Sequence, residues 1–417
     1  MGISLVMVPL TLTCLDNKTF GVWTTLSSLL TLLTFFDIGL GNGLRNRLAE
    51  ALSANDSTLA RSYVSTAYVL FGGVQLFLLV LFLITNTIIP WPTILNTSLP
   101  VAQLRQVALV LFIGVSLKLV FDLLTFALYA RQETAKAGLL LLLTNLVTLA
   151  GLLGLTYVKR GNLITLSFLN AISPLLILLT ASLLLYGGSL RSLQPSWRLV
   201  KKQYVTGLLG LGSKFFIIQL AVIVIFYSDN LIIAQLFGPE EVTSYSISFR
   251  YFNIINILFS IAITPFWSAF TEAYNKQEYN WMRASYQRLW WLWLGVVVLA
   301  GCWVIMAPYA YKVWIGDRVQ ISRLLSLCMG LSVIIACLNN VTVVVTNGLG
   351  KIKLQLISSV FSALINIPLS VVLGKYLNMG SSGVILATSL SLIIGSTTGL
   401  LQARRLINQT ATGIWNR

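Results

Sequence analysis

Long apolar stretches separated by short polar breaks run the whole length of the chain. Twelve of them read as membrane-spanning helices: 2–15, 20–40, 64–89, 107–130, 137–158, 163–186, 207–237, 244–270, 289–310, 323–346, 355–374 and 383–402. A helix needs about 20 mostly apolar residues to cross about 30 Å of hydrocarbon. Only the first stretch is clearly shorter, covering about 21 Å at about 1.5 Å per residue. The pattern predicts an all-α polytopic membrane protein.

The polar breaks carry a repeat. "AEALSANDSTLAR" (49–61) aligns without gaps to "TEAYNKQEYNWMR" (271–283), an offset of 222 residues. Glu50 matches Glu272, Ala51 matches Ala273, Asp56 faces Glu278, and Arg61 matches Arg283. At the same offset Trp23 faces Tyr245, and the second span faces the eighth. Each motif follows the second span of a six-span half. Six is even, so both halves insert in the same orientation, as a parallel repeat about an axis along the membrane normal. The expected division is an N-terminal six-helix bundle over 1–190, a basic cytoplasmic linker over 191–206 and a C-terminal six-helix bundle over 207–417. The linker contains Pro195 and suits a surface-lying amphipathic segment. Residue 1 corresponds to 223, whereas span seven begins near 207, so about the first half of span one is expected to be absent.

Composition agrees with the membrane reading. Of 417 residues 57% are hydrophobic and 10% charged, where a soluble domain carries about 25% charged; the mean hydropathy is +0.85. The start lacks a basic region, so no cleavable signal peptide is expected. The four cysteines (Cys14, Cys302, Cys328, Cys337) sit in apolar segments and read as small packed hydrophobes. With no histidine, histidine-based metal sites and Ser/His or Cys/His triads are excluded. The net charge of +16 does not mark a nucleic-acid binder, because the basic residues lie in short loops between spans. With the loop after span two taken as cytoplasmic, that side holds 17 Lys/Arg and the other eight. By the positive-inside rule both termini are cytoplasmic.

Ionisable residues inside spans are the candidate functional groups, since each costs about 2.5–3.5 kcal/mol at a helix centre on insertion scales. They are Asp37, Lys118, Asp122, Lys214, Asp229 and Arg250. Lys118 and Asp122 are four apart and share a helix face, so they can pair or line a hydrated cavity. Lys214 and Asp229, fifteen apart, fall within about 60° of one face. Arg250 lies at about the depth of Asp229 and can pair with it. Lys214, Asp229 and Arg250 together keep a net positive balance once a pair cancels, which suits an anionic headgroup such as a pyrophosphate.

The stretch "FFDIGLGNGLRN" (35–46) ends span two. Its G-x-G-x-G spacing is not the dinucleotide-binding G-x-G-x-x-G, and no strand precedes it. Gly39 and Gly43 form a small-x-x-x-small pair that permits close helix approach. Gly43 corresponds to Pro265, so a hinge or helix break is expected at Gly39, Gly43 and Pro265. Asp37 faces Phe259 in the repeat and is a candidate gate or proton site, or else reaches water or Arg45. Trp290, Trp291 and Trp293 suit an interfacial aromatic belt. There is no P-loop, no D-x-D pair and no large loop, so no enzymatic activity is expected.

Several stretches resemble the Wzx-type polysaccharide-biosynthesis, or O-antigen, flippases of the multidrug/oligosaccharidyl-lipid/polysaccharide exporter superfamily. They are "FGVWTTLSSLLTLLTFFDIGLGNGLRNRLAEAL", "ARSYVSTAY", "SDNLIIAQLFGPEEVTSYSISFRYF" and "SIAITPFWSAFTEAY". Together they cover about a quarter of the chain. The resemblance implies a MATE-like fold of two pseudo-symmetric six-helix bundles around a central cavity that opens alternately to each side. It implies a cargo of undecaprenyl-diphosphate-linked oligosaccharide, flipped across a bacterial inner membrane for O-antigen, capsule or exopolysaccharide synthesis. Lys118, Lys214 and Arg250 would bind the substrate; Asp37, Asp122 and Asp229 would serve ion coupling or gating. A proton or sodium gradient is the expected energy source, with no cofactor and no metal. The implied partners are the lipid-linked substrate, membrane lipids, and the polysaccharide polymerase and chain-length machinery, with no nucleic acid. The competing readings are a multidrug/cation antiporter of the same superfamily, a membrane-embedded glycosyltransferase or polymerase, and a scaffold for the synthesis machinery.

Overall fold

The duplicated motif folds twice into the same helical corner. The computed structural model describes residues 2–31, 40–159, 161–209 and 228–416, and both copies fall within them. In the first copy, α3 (Leu40–Ser53) ends, Asn55 turns left-handed at φ 55°, and α4 (Ser57–Asn86) begins. The Asp56 amide donates to the Ala51 carbonyl and the Asn55 amide to that of Leu52, a Schellman arrangement that satisfies the last carbonyls of α3. Asp56 then caps α4, its carboxylate accepting from the Leu59 amide at 2.8 Å. The second copy joins α11 (Pro239–Asn275) to α12 (Tyr279–Ile315). There Gln277 stands at φ 59°, and the Glu278 and Gln277 amides donate to the Ala273 and Tyr274 carbonyls. The two corners thus share the same pair of backbone bonds although neither uses glycine at its left-handed position.

The chain divides into two compact units, Met1–Gln219 and Leu220–Arg417. The first contains, besides α3 and α4, helices α1 (Gly2–Cys14), α2 (Asn17–Thr31), α5 (Val101–Phe121), α6 (Leu123–Ala130), α7 (Thr134–Tyr157), α8 (Leu163–Gly187) and the short α9 (Val205–Leu209). The second contains α10 (residues 228–237), α11, α12, α13 (Arg323–Gly348), α14 (Lys353–Val371), which passes into a π-helical turn at Val372–Tyr376, and α15 (Ser381–Ile407). Three helix starts, Asn17 and Pro239, Ser57 and Tyr279, Val101 and Arg323, keep the 222-residue offset without a slip. Both units therefore run through the same order of elements. The described residues contain no strand.

Nine helical segments among the described residues are long and apolar enough to cross a membrane, and they answer spans three to six and eight to twelve of the sequence pattern. Their polar ends extend past the apolar runs, because the caps lie outside them: α4 begins at Ser57 rather than 64 and α12 at Tyr279 rather than 289. Predicted span one is the 13-residue α1, while predicted spans two and seven fall partly on residues outside those described. Leu183, Leu184, Val298 and Ile305 stand exposed on the outer faces of α8 and α12. In water such surface would aggregate; on these helices it is the face presented to lipid. The repeat-related Val101–Ala130 and Arg323–Gly348 are the most enclosed segments, with 50% and 61% of their apolar stretches buried.

Helix α3 explains the alternating glycines. Residues two apart project about 200° apart on a helix. A Cβ at Gly41 would meet the Phe126 ring of α6, and one at Gly43 would meet the Leu208 carbonyl oxygen of α9. Leu44 and Leu48, fully buried, join the same core as Leu123, Leu124 and Leu208. The glycines let α3 slot between α6 and α9. Within the predicted linker over 191–206, residues 191–204 form three short 3-10 turns tied to the polar end of α4 by hydrogen bonds between backbone and side chains. The Ser196 amide donates to Ser65 Oγ at 3.0 Å, and the Lys201 amide to Thr66 Oγ1 at 3.2 Å. Arg61 Nε donates to the Gln194 carbonyl at 2.7 Å.

Candidate functional site

Four helices of the second unit converge on one carboxylate. Asp229, in the first turn of α10 described, is 1% exposed. Tyr245 Oη of α11 donates to its Oδ2 at 2.6 Å. Thr388 Oγ1 of α15 lies 3.2 Å from Oδ1 and 3.1 Å from Oδ2. Thr388 in turn accepts from the Asn366 amide of α14 at 3.1 Å. The result is a directed chain from an amide through a hydroxyl to a carboxylate, completed by a phenol. Burying an ionised carboxylate is costly unless it is paired, and two hydroxyl donors offset part of that cost. On the same two helices, Asn366 Oδ1, Ser370 Oγ and Ser391 Oγ are buried with no hydrogen-bond partner among the described residues. Ser370 lies one turn from Asn366, and Ser391 nearly one turn from Thr388, so both add oxygens to the helix faces that carry the network. A carboxylate ringed by neutral oxygens can take a proton or hold a small monovalent cation.

The expected pair Asp229–Arg250 does not form. Arg250 follows Tyr245 by five residues, about 140° around α11, so the face that reaches Asp229 carries the phenol and not the guanidinium. Arg250 is half-buried and makes no hydrogen bond or ion pair among the described residues. The expected pair Lys118–Asp122 also fails. At Asp122 the run from α5 to α6 tightens, with the Thr125 amide reaching the Asp122 carbonyl at 2.8 Å and the Asp122 ψ at −14°. That tightening lies beyond Asp122: the Asp122 amide still reaches the Lys118 carbonyl at 2.8 Å, so the two residues keep one helix face and their side chains nonetheless do not pair. Asp122 lies instead near Tyr68, whose hydroxyl accepts from Tyr186 Oη at 3.3 Å. Lys118 is left half-buried without a partner among the described residues.

Asp37, Gly39 and Lys214 lie outside the described residues. Gly43 and Pro265 lie inside continuous helices, so neither is a helix break: Gly43 is a packing position of α3, and α11 runs through Pro265. Among the described residues no group of histidine, cysteine and acidic side chains could hold a metal, and the four cysteines are free.

The residues that sequence reasoning missed are Tyr245, Thr388 and Asn366. Their signal was polar side chains embedded in apolar spans, which hydrogen-bond across helices where no water competes. The network is confined to one half of the repeat. At the 222 offset Asp229 corresponds to Met7, Tyr245 to Trp23, Arg250 to Ser28 and Lys118 to Asn340. At those positions the first unit has the helices but not the acid, the phenol or the arginine, while Lys118 belongs to the first unit and its counterpart Asn340 to the second.

Comparison with known proteins agrees with this architecture. Residues 215–372 match the MatE family. A Salmonella typhimurium protein named "Putative O-antigen transporter" is 23% identical over 317 residues, covering 75% of this chain and 70% of that protein. A Salmonella typhi protein of the same name is 21% identical over 286 residues, 67% of this chain and 63% of its own. The structure of an inward-facing multidrug resistance MATE family transporter of the MOP superfamily superposes with a TM-score of 0.83 at 14% identity, over 98% of this chain and 94% of that one. An outward-facing structure of such a transporter gives 0.62 at 15% identity, over 99% and 96%. The fold is that of the MATE transporters.

Proposed function

We propose that this multi-pass membrane protein, with its MATE fold and MatE region, is a transporter that moves an oligosaccharide linked to undecaprenyl diphosphate across the bacterial inner membrane by alternating access. The observation that carries this reading is the state of the two described intramembrane bases. Lys118 and Arg250 are half-buried in apolar helices, and neither has an acidic partner among the described residues. A buried unpaired cation is expensive in low dielectric. A diphosphate passing within reach relieves that cost through charge-assisted hydrogen bonds. The names of the two Salmonella relatives point the same way. Asp229 is held by hydroxyls and not by a base, which leaves it free to exchange a proton or cation as the driving ion moves.

The fold similarity to multidrug transporters supports a second reading, export of cationic drugs with Asp229 as the cargo anion. One experiment separates the two. The chain and its Lys118→Ala and Arg250→Ala variants are expressed in a strain lacking its own O-antigen flippase. Surface polymer and drug tolerance are measured together. The flippase reading expects polymer restored by the wild-type chain and lost in both variants, with drug tolerance unmoved. Drug tolerance that rises with the chain and falls with Asp229→Asn, without polymer, establishes the second reading.

A further inference from the structure

A cleft of about 500 Å³ in the second unit opens between α12 and α15. Arg283, from the start of α12, and Arg404, from the last turn of α15, line it together with Tyr286, Gln287, Trp290 and Leu401. None of its lining residues is acidic. Neither arginine has a hydrogen bond or ion pair among the described residues. Their closest comparators are occupied. Arg61, the repeat counterpart of Arg283, is committed to the Gln194 carbonyl. Arg405, beside Arg404 in sequence, stacks 4.3 Å over the Trp415 ring. Two guanidinium groups around one cleft repel each other, and an anion between them converts that repulsion to attraction.

The depth of the cleft is set by the helices that form it. Arg283 follows the start of α12 by four residues and Arg404 precedes the end of α15 by three. Beyond them both helices turn apolar, with Trp291 and Val298 exposed on α12 and Leu401 on α15. The cleft therefore stands where hydrocarbon gives way to headgroups. Its wall is rigid. Tyr286, Trp290 and Trp293 follow one face of α12 and pack edge to face, with centroids 6.3 and 5.4 Å apart. The Trp293 indole N–H donates to the Ile334 carbonyl of α13 at 2.9 Å, which anchors the ladder.

We propose that this cleft binds the headgroup phosphate of an anionic membrane phospholipid. Arg283 and Arg404 grip the phosphate, whose oxygens match the planar guanidinium fork. Gln287 supplies a neutral donor, and the acyl chains descend along Trp290 and Leu401. A free phosphate would fill the basic end and leave the apolar wall bare, so the lipid fits the whole lining. The site is independent of which cargo the protein moves.

The test is native mass spectrometry of the full chain released from detergent in the presence of phosphatidylglycerol or phosphatidylcholine. The wild-type protein is expected to retain one phosphatidylglycerol in preference to phosphatidylcholine. Arg283→Gln with Arg404→Gln weakens that retention by about tenfold or more, as loss of two charge-assisted contacts requires. The same double change made to Lys keeps the charge but loses the forks, and is expected to fall between. Arg198→Gln with Arg288→Gln removes equal charge outside the cleft and leaves retention unchanged. Helical circular dichroism equal to wild type certifies each variant. Equal loss in both glutamine pairs overturns the proposal in favour of diffuse attraction. Displacement of the lipid by equimolar inorganic phosphate overturns it in favour of a free anion. Displacement by undecaprenyl diphosphate below the phosphatidylglycerol concentration assigns the cleft to the carrier instead.

Discussion

Replacing Gly43 by alanine puts the packing of α3 to a direct test. In an exposed helix interior, Gly→Ala stabilises by about 1 kcal/mol through helix propensity. Gly73, exposed on α4 with nothing within 4 Å of a built Cβ, is such a position, and Gly73→Ala is expected to gain about that much. At Gly43 the new methyl lands on the Leu208 carbonyl oxygen, a backbone atom that cannot rotate away. Overpacking of this kind costs about 1–3 kcal/mol. Set against the same propensity gain, Gly43→Ala is expected to lie between neutral and about 2 kcal/mol destabilising. Gly41→Ala meets the Phe126 ring, a side chain that can shift, and should fall between the two. The assay is unfolding in mixed micelles with increasing sodium dodecyl sulfate, followed by helical circular dichroism. The order of stability should be Gly73→Ala, Gly41→Ala, Gly43→Ala. If Gly43→Ala stabilises as much as Gly73→Ala, α3 does not seat against α9, and the packing account of the alternating glycines is wrong.

Three further outcomes are expected. Tyr245→Phe removes a donor to the buried Asp229 and should cost about 1.5–3 kcal/mol, but under about 1 kcal/mol in an Asp229→Asn background; equal costs in both backgrounds would show that the two side chains act independently. Arg61→Ala frees the 191–204 segment from its tie to Gln194, and trypsin should cut at Arg191, Arg198, Lys201 or Lys202 about fivefold faster, from about 1 kcal/mol of lost charge-assisted bonding; an unchanged digestion rate refutes that tie. Glu133 forms an ion pair with Lys136 at 2.7 Å and accepts from Arg131 Nε at 2.9 Å. Its hydrogen bond to Lys136, aided by the charges of Lys136 and Arg131, holds its carboxyl below the usual carboxylate range. Because the folded value is depressed, the stabilisation is present above the unfolded value and lost as pH falls through the folded one. The stability gap between wild type and Glu133→Gln, under about 1 kcal/mol for so exposed a cluster, should therefore close on acidification, and a gap that widens would overturn the sign.

The helices were legible because lipid imposes a strong demand: an apolar run of fixed length, repeated. The repeat was legible because its thirteen residues encode one corner, in which Asn55 and Gln277 turn left-handed and the following residue closes the Schellman bond. The partners of Asp229 were not legible. Thr388 stands 159 residues away on another helix, and nothing in a run of serines and threonines says which of them meets a carboxylate. Lys118 and Asp122 keep the shared face that a spacing of four gives, since the Asp122 amide reaches the Lys118 carbonyl, but a shared face permits a pair without requiring one. The helix break expected at Gly43 came from its alignment with Pro265, whereas here the glycine makes room for a neighbouring backbone, as its small-residue spacing allows.

The Trp23 indole N–H is buried and has no acceptor among the described residues. Its counterpart Tyr245 has Asp229, while the position matching Asp229 is Met7. Read as history, this is the residue of a duplication: two copies began alike, and only the descendant that kept or acquired the acid became chemically specialised. The other retained the scaffold and an indole donor without an acceptor among the described residues. Such an unmet donor is also an opening for engineering. A chain in which Met7 becomes Asp or Asn would rebuild in the first half the contact that evolution left in the second, and would reveal whether one half can serve as a template for remaking the other.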